Sequence, residues 1–185
     1  LLPPLMLEMG REKHAFAVLG NHDHAPGMPT QRLVGDLTRA GVTVLSNRAH
    51  RVRLGDVSLL LLGVDDPHTG RADLKAALAR ALDLPAPDGP TILLAHSPDV
   101  VDEAEAAGVD LVLAGHTHGG QICLPGGRAL VTNTRLGPRY AAGLFRRGRT
   151  WLFVNRGVGT IGVPFRLFCP GEVAVVVLRR EGEGP

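Results

Sequence analysis

Three apolar runs in this chain stop at clusters of asparagine, aspartate and histidine, and that repeated junction restricts the fold more than any other feature. Ala15 to Leu19 runs into Gly20-Asn21-His22-Asp23-His24, Thr91 to Ala95 into His96-Ser97-Pro98-Asp99, and Val109 to Ala114 into Gly115-His116-Thr117-His118-Gly119-Gly120. Continuous apolar strands belong to sheets covered on both faces, and strands that alternate with helices point to an α/β architecture. In open α/β sheets ligands bind beyond the carboxyl ends of the strands, so residues far apart in sequence converge there. Histidine is a common metal ligand, and flanking glycines let backbone pass close to an ion or an anion. Two alternatives stay open at this level: the histidines of the third junction cap a solvated turn, or the fold sets the three strand tips apart as unrelated polar loops.

The ordered trio Gly20-Asn21-His22-Asp23, His96 within Ala95-His96-Ser97-Pro98-Asp99, and Gly115-His116-Thr117-His118-Gly119-Gly120-Gln121 resembles the calcineurin-like metallophosphoesterases. The third string, with Gly63-Val64-Asp65-Asp66-Pro67-His68-Thr69-Gly70 and Arg156-Gly157-Val158-Gly159-Thr160, is similar to one bacterial branch of that family, often membrane-associated. The resemblance implies a four-layer α-β-β-α sandwich of two mixed sheets. It also implies a metal-dependent phosphoesterase that hydrolyses a phosphodiester or pyrophosphate by attack of metal-bound hydroxide. Family members usually open with an Asp-x-His strand and a Gly-Asp-x-x-Asp loop, and neither motif occurs in this sequence. We therefore expect a single metallophosphoesterase domain over residues 1–185 that lacks its N-terminal portion.

By the same likeness Asn21, His96 and His116 ligate one metal and His118 the other. Two dications about 4 Å apart repel by roughly 15 to 20 kcal/mol at an effective dielectric near 20, so anionic ligands must offset them. Without the bridging aspartate the expectation is two divalent ions in the complete protein and at most one, weakly held, in this chain. Imidazole and amide oxygen suit Mn or Fe first and Zn next, whereas Mg prefers an oxygen shell. The second functional reading is then a catalytically impaired metal- or phosphate-binding domain. A third is an interaction module that uses a basic C-terminal face.

Hydrolysis needs a proton for the leaving oxygen. His22 is the expected general acid, with Asp23 holding or polarising its ring. The competing reading has Asp23 capping the turn and His22 merely packing. His24 reaches the same loop and is a candidate substrate contact, although an exposed loop histidine is the plainer reading. His14 and His50 read as surface residues, and Asp65-Asp66-Pro67-His68 is foremost a turn signal.

Net charge is +2, but its distribution is uneven. Residues 1–127 carry ten Lys or Arg against fifteen Asp or Glu, and residues 128–185 carry ten against three. Arg135, Arg139, Arg146, Arg147 and Arg149 read mainly as a solvated face. Arg156, entering a glycine-rich turn, is a further candidate for substrate binding. Such a balance suits a phosphorylated small-molecule or lipid-linked substrate and is compatible with peripheral membrane association. At 4% aromatic residues, no nucleic-acid stacking platform is expected. Two cysteines, Cys123 and Cys169, are too few for a disulfide scaffold and read as reduced, partly buried thiols. The opening Leu1 to Gly10, broken by two prolines, is too short to span a membrane. A missing N-terminal portion would take any anchor with it, so localisation stays open.

Periodicity predicts strands at Ala15–Leu19, Val42–Leu45, Arg51–Leu54, Val57–Val64, Thr91–Ala95, Val109–Ala114, Thr150–Val154 and Val173–Leu178. Helices are predicted at Thr30–Ala40, Arg71–Leu82 and Val100–Ala107. The middle helix should bury Leu74, Leu78 and Leu82, and Gly41 and Gly108 should end helices in the left-handed conformation. The strands from Thr150 onward are expected in the second sheet, and a first sheet without its opening strand would expose an apolar edge.

Overall fold

The structure, a computed structural model, describes residues 14–179. The initial Leu1 to Lys13 lies outside the described residues. Ten strands form three sheets: β1 (Phe16–Ala17), β2 (Thr43–Val44), β3 (Arg48–Leu54), β4 (Val57–Gly63), β5 (Thr91–Leu94), β6 (Leu111–Ala114), β7 (Cys123–Leu124), β8 (Arg128–Ala129), β9 (Gly143–Arg147) and β10 (Thr150–Val154). The helices are α1 (Thr30–Arg39), α2 (Leu74–Ala81) and α3 (Val101–Ala106).

The main sheet has six strands in the order β3-β4-β5-β6-β10-β9. Its inner four are mutually parallel, and antiparallel hairpins add β3 and β9 at the two edges. Side chains along a strand alternate between faces, and the inner strands show it residue by residue. Leu60, Leu62, Leu93, Val112, Leu152 and Val154 point into one core shared with Leu74 and Ala77 of α2 and with Val101 and Ala104 of α3. Leu59, Leu61, Ile92 and Leu111 point the other way, where Phe16, Val18 and Leu45 from the β1 and β2 segments cover them. Burial on both faces explains why these strands carry no polar alternation.

The α/β expectation is met, and the main sheet is mixed. Among the described residues a second sheet facing it consists of the parallel pair β1–β2, with α1 packed against β2. At Gly63 the main sheet packs tightly against Leu45, the residue that follows β2. A Cβ there would lie 2.2 Å from Leu45 Cβ and 2.8 Å from the Leu45 carbonyl oxygen, so only glycine fits.

Several local expectations are corrected. The Thr150–Val154 strand does not join a second sheet: it pairs parallel with β6 and extends the main one, because its apolar residues complete both cores. No strand forms at Val173–Leu178, where Val173 and Val175 are 84% and 90% exposed and no neighbouring strand pairs with the backbone. Leu82 leaves the buried stripe of α2, at 86% exposure, since the helix ends at Ala81 and the chain turns away. Strands β7, β8 and β9 went unpredicted because the first two are paired strands of only two residues each and β9, Gly-Leu-Phe-Arg-Arg, lies on an edge with two of its five residues exposed. Gly41 and Gly108 do take positive φ, +90° and +76°.

Removing bulk from the shared core and adding it at the sheet contact should both weaken the fold. Leu93→Ala is expected to cost about 2–5 kcal/mol through lost burial and a residual cavity. Gly63→Ala should cost about 1–3 kcal/mol through overpacking against Leu45. Urea unfolding of each variant measures the loss, and a Gly63→Ala protein as stable as the parent contradicts the close sheet contact.

Candidate functional site

Parallel pairing decides where the site lies. Leu94 of β5 is in register with Gly63 of β4 and with Leu113 of β6, and Ala114 with Val154 of β10. The loops that begin at Val64, Ala95, Gly115 and Asn155 therefore leave the sheet along one edge. Above that edge the rings of His96 and His116 meet edge to face, with centroids 4.8 Å apart. His116 Nδ1 lies 2.9 Å from His96 Nε2, and Asn21 Oδ1 lies 2.9 Å from the same nitrogen. Asn21 opens a short 3-10 turn, Asn21–His24, that follows β1. The approach requires the preceding glycine, because a Cβ on Gly20 would sit 2.7 Å from the His96 ring.

The hydrogen bonds define the ring states. His116 Nε2 lies 2.8 Å from the Asn133 carbonyl oxygen, which can only accept, so Nε2 carries the hydrogen and Nδ1 presents a lone pair toward His96. Burial, reinforced by the neighbouring His116, pushes His96 down from 6.5 to about 4. Burial also lowers His116, with His68 the next cause. Both rings are thus neutral at pH 7, the form that binds metals. A single proton on His96 Nε2 then faces two acceptors, Asn21 Oδ1 and His116 Nδ1. That is the place a divalent cation would take. Ligands about 2.1 Å from a cation and at right angles around it are about 3.0 Å apart, which matches the 2.9 Å separations. Among the described residues no group of three or more His, Cys, Asp or Glu side chains is arranged to hold a metal ion, and the polar atom that meets the two imidazoles is the Asn21 amide oxygen.

The turn after β6 holds non-glycine residues in an uncommon conformation. His116, His118 and Gln121 have φ of +67°, +51° and +55°. Such outliers persist only where surroundings impose them, and they cluster at functional sites. Here the Thr117 hydroxyl donates to the Ala141 carbonyl, and the Gln121 side chain donates to the carbonyls of Ile161 and Val163. A cavity of about 450 Å³ opens beside this turn, lined by His116, His118, Gln121, Asn133 and Ile161 among others.

The remaining predicted residues divide. His118 lines the same cavity as His116, with Nδ1 3.3 Å from the Gly159 carbonyl oxygen. His22 is exposed on the turn beside Asn21. Asp23 caps the turn, its Oδ2 accepting the Gly20 N–H at 2.8 Å. His24 is not an exposed loop residue. Its side chain is 7% exposed and its Nε2 lies 2.5 Å from Asp65 Oδ1, because the Ser46 hydroxyl and the Asp66 N–H fix that carboxylate in place. Arg156 packs its stem on Gly119 and pairs with Glu172 at 3.8 Å, away from the trio. The thiols of Cys123 and Cys169 are free and fully buried, both donating to the Gly119 carbonyl.

Sequence reasoning gave little weight to the loop after β4. His68 stacks on His116 with centroids 4.3 Å apart, and its Nε2 lies 3.0 Å from Ser97 Oγ and 3.3 Å from Asp99 Oδ2. Asp66, one turn earlier, is fully buried. The available signal was the position of Asp65-Asp66-Pro67-His68 at the carboxyl end of a doubly buried strand, the same place as the other ligand clusters.

A family model described as calcineurin-like phosphoesterase matches residues 2–120. A Bacillus subtilis (strain 168) protein named uncharacterized metallophosphoesterase YkuE is 33% identical over 177 residues, covering 95% of this chain and 60% of its own. Phosphodiesterase YaeI of Escherichia coli (strain K12) is 34% identical over 168 residues, covering 88% of this chain and 57% of its own. An Aquifex aeolicus (strain VF5) protein named uncharacterized metallophosphoesterase is 34% identical across 98% of this chain and 67% of its own. The chain thus spans about 60% of the length of the first two relatives. With its motifs gathered at the carboxyl ends of parallel strands and more than half its length matched, this chain belongs to the calcineurin-like phosphoesterases.

Proposed function

We propose that the chain carries part of a metal-dependent phosphoesterase centre that hydrolyses a phosphodiester or pyrophosphate, with Asn21, His96 and His116 as ligands. The observation that carries this reading is the approach of Asn21 Oδ1 and His116 Nδ1 to one His96 nitrogen, each at 2.9 Å. Calcineurin-like phosphoesterases generally use divalent metals. Mn or Fe is the first choice and Zn the second, given two imidazoles and an amide oxygen. When bound, such an ion supplies Lewis acidity toward a phosphoryl oxygen and lowers the pKa of water. His118 belongs to the same centre as ligand of a second ion in a complete protein.

The chain's own residues then orient and protonate. Asn133 holds the His116 ring through its carbonyl, and the bulk of His96 is accommodated by Gly20. His22, exposed beside Asn21, is the residue proposed to donate a proton to the leaving oxygen. Asp23 serves this step indirectly, by holding the turn that presents His22. The preference for a diester or pyrophosphate over a monoester draws on the relative named a phosphodiesterase. A phosphorylated small molecule or a lipid-linked phosphate is the substrate class. Among the described residues no helix is long and apolar enough to cross a membrane. The second reading, a metal- or phosphate-binding domain with impaired catalysis, draws on the absence of the Asp-x-His and Gly-Asp-x-x-Asp motifs from this sequence.

His116→Ala should lower bound Mn at least tenfold by elemental analysis, and Gly20→Ala should do the same by displacing the His96 ring. Undiminished metal in both removes the ligand assignment. His22→Ala should cut turnover of an aryl phosphodiester by roughly 100-fold with metal content intact. Wild-type protein that binds Mn without hydrolysing diesters favours the second reading.

A further inference from the structure

The loop Val64 to Gly70 contains a carboxylate with no evident structural reason to be so deep. Asp66 is 0% exposed. Its Oδ2 accepts the Thr69 N–H at 2.8 Å, capping the turn Pro67–Thr69, but its Oδ1 has no hydrogen-bond partner among the described residues. The adjacent Asp65 differs: its two oxygens meet His24, Ser46 and a backbone N–H. The Asp99 side chain, 1% exposed, accepts at Oδ1 from Thr134 and from the Arg135 N–H, while its Oδ2, which likewise lacks a hydrogen-bond partner among the described residues, faces His68 at 3.3 Å and Arg135 at 3.9 Å. A buried carboxylate with an unpaired oxygen destabilises a fold, and asparagine would cap the same turn equally well. The acidic group must therefore be favoured by something other than the cap.

The neighbouring loops supply a reason. Asp66 follows β4, and His96 follows β5, the strand hydrogen-bonded alongside it in parallel. Two residues after Asp66, His68 lies over the His116 ring with centroids 4.3 Å apart and 3.0 Å from the Oγ of Ser97, the neighbour of His96, so the loop of Asp66 packs against both ligand loops. Carboxylates just outside a metal's ligand shell orient and polarise its imidazoles.

We propose that Asp66 is the buried counter-charge of the cation site, a positioning residue that strengthens divalent-ion binding by Asn21, His96 and His116 without ligating the ion itself. The role rests on the metal-centre reading above. It assigns a purpose to the Asp-Asp-Pro-His segment that the turn chemistry leaves unexplained, and it places one anionic group beside an otherwise neutral donor set. Binding of the cation then offsets the cost of keeping Asp66 in the interior.

The test measures binding and folding separately. Calorimetric titration with Mn²⁺ is run on the wild-type chain, Asp66→Asn and His116→Ala, together with thermal unfolding of each after chelation. The expected result for Asp66→Asn is a 10- to 100-fold weaker Mn²⁺ affinity with a metal-free unfolding midpoint at or above that of wild type. A purely structural carboxylate would instead lower the midpoint and leave affinity unchanged, and either outcome overturns the proposal. If His116→Ala loses affinity while Asp66→Asn does not, the metal centre stands and the role of Asp66 falls. If wild type and His116→Ala behave alike, or neither binds Mn²⁺, the metal-centre reading fails and the proposal fails with it.

Discussion

Parallel hydrogen bonding among β4, β5, β6 and β10 is the constraint on which the rest of the molecule depends. Parallel strands all end at the same edge, so each chain segment leaving them delivers its first polar residues to one place. His96 and His116 are twenty positions apart, yet their ring nitrogens come within 2.9 Å because β5 and β6 are neighbours in register. Antiparallel neighbours would have sent the two histidines to opposite edges. The apolar content of these strands has the same origin, since a sheet covered by α2 and α3 on one face and by β1–β2 on the other leaves no side for water.

The site edge departs from the economy of the core. Rings of His96 and His116 are held neutral by burial, three non-glycine residues of one turn take positive φ, and the Asp66 carboxylate is enclosed with one oxygen unpaired. Each costs folding free energy, of order 1–3 kcal/mol for a strained backbone position. They lie together along a few loops rather than scattered over the molecule. Local features that oppose folding are expected where a structure serves another purpose, and the cation site proposed at Asn21, His96 and His116 is consistent with all three.

Much of the fold was legible because the relevant signals are local. Val57 to Gly63 and Thr91 to Leu94 read as strands from unbroken apolar character, and α1, α2 and α3 were placed within three residues at either end. Gly41 and Gly108 marked helix ends through their freedom at positive φ. Errors came where pairing partners decide. Val173 to Leu178 has strand-like composition but no strand beside it, and Thr150 to Val154 was assigned to the wrong sheet because nothing in its residues names its neighbour. His24 looked exposed because its contact with Asp65 spans 41 positions. Asp65-Asp66-Pro67-His68 looked like a turn, which it is, while the placement of His68 on the His116 ring depends on how two loops pack.

The residues themselves determined the family, the candidate ligands and the alternation of strands and helices, since motif identity and hydrophobic period are properties of short segments. Tertiary structure alone decided which of those ligands meet. It joined Asn21, His96 and His116, left His118 against Gly159 and Arg156 against Glu172, and brought His68 and Asp66 to the edge of the same site. The physical reason is register: a hydrogen-bonded parallel sheet decides which strand ends lie side by side, and no single segment contains that pairing.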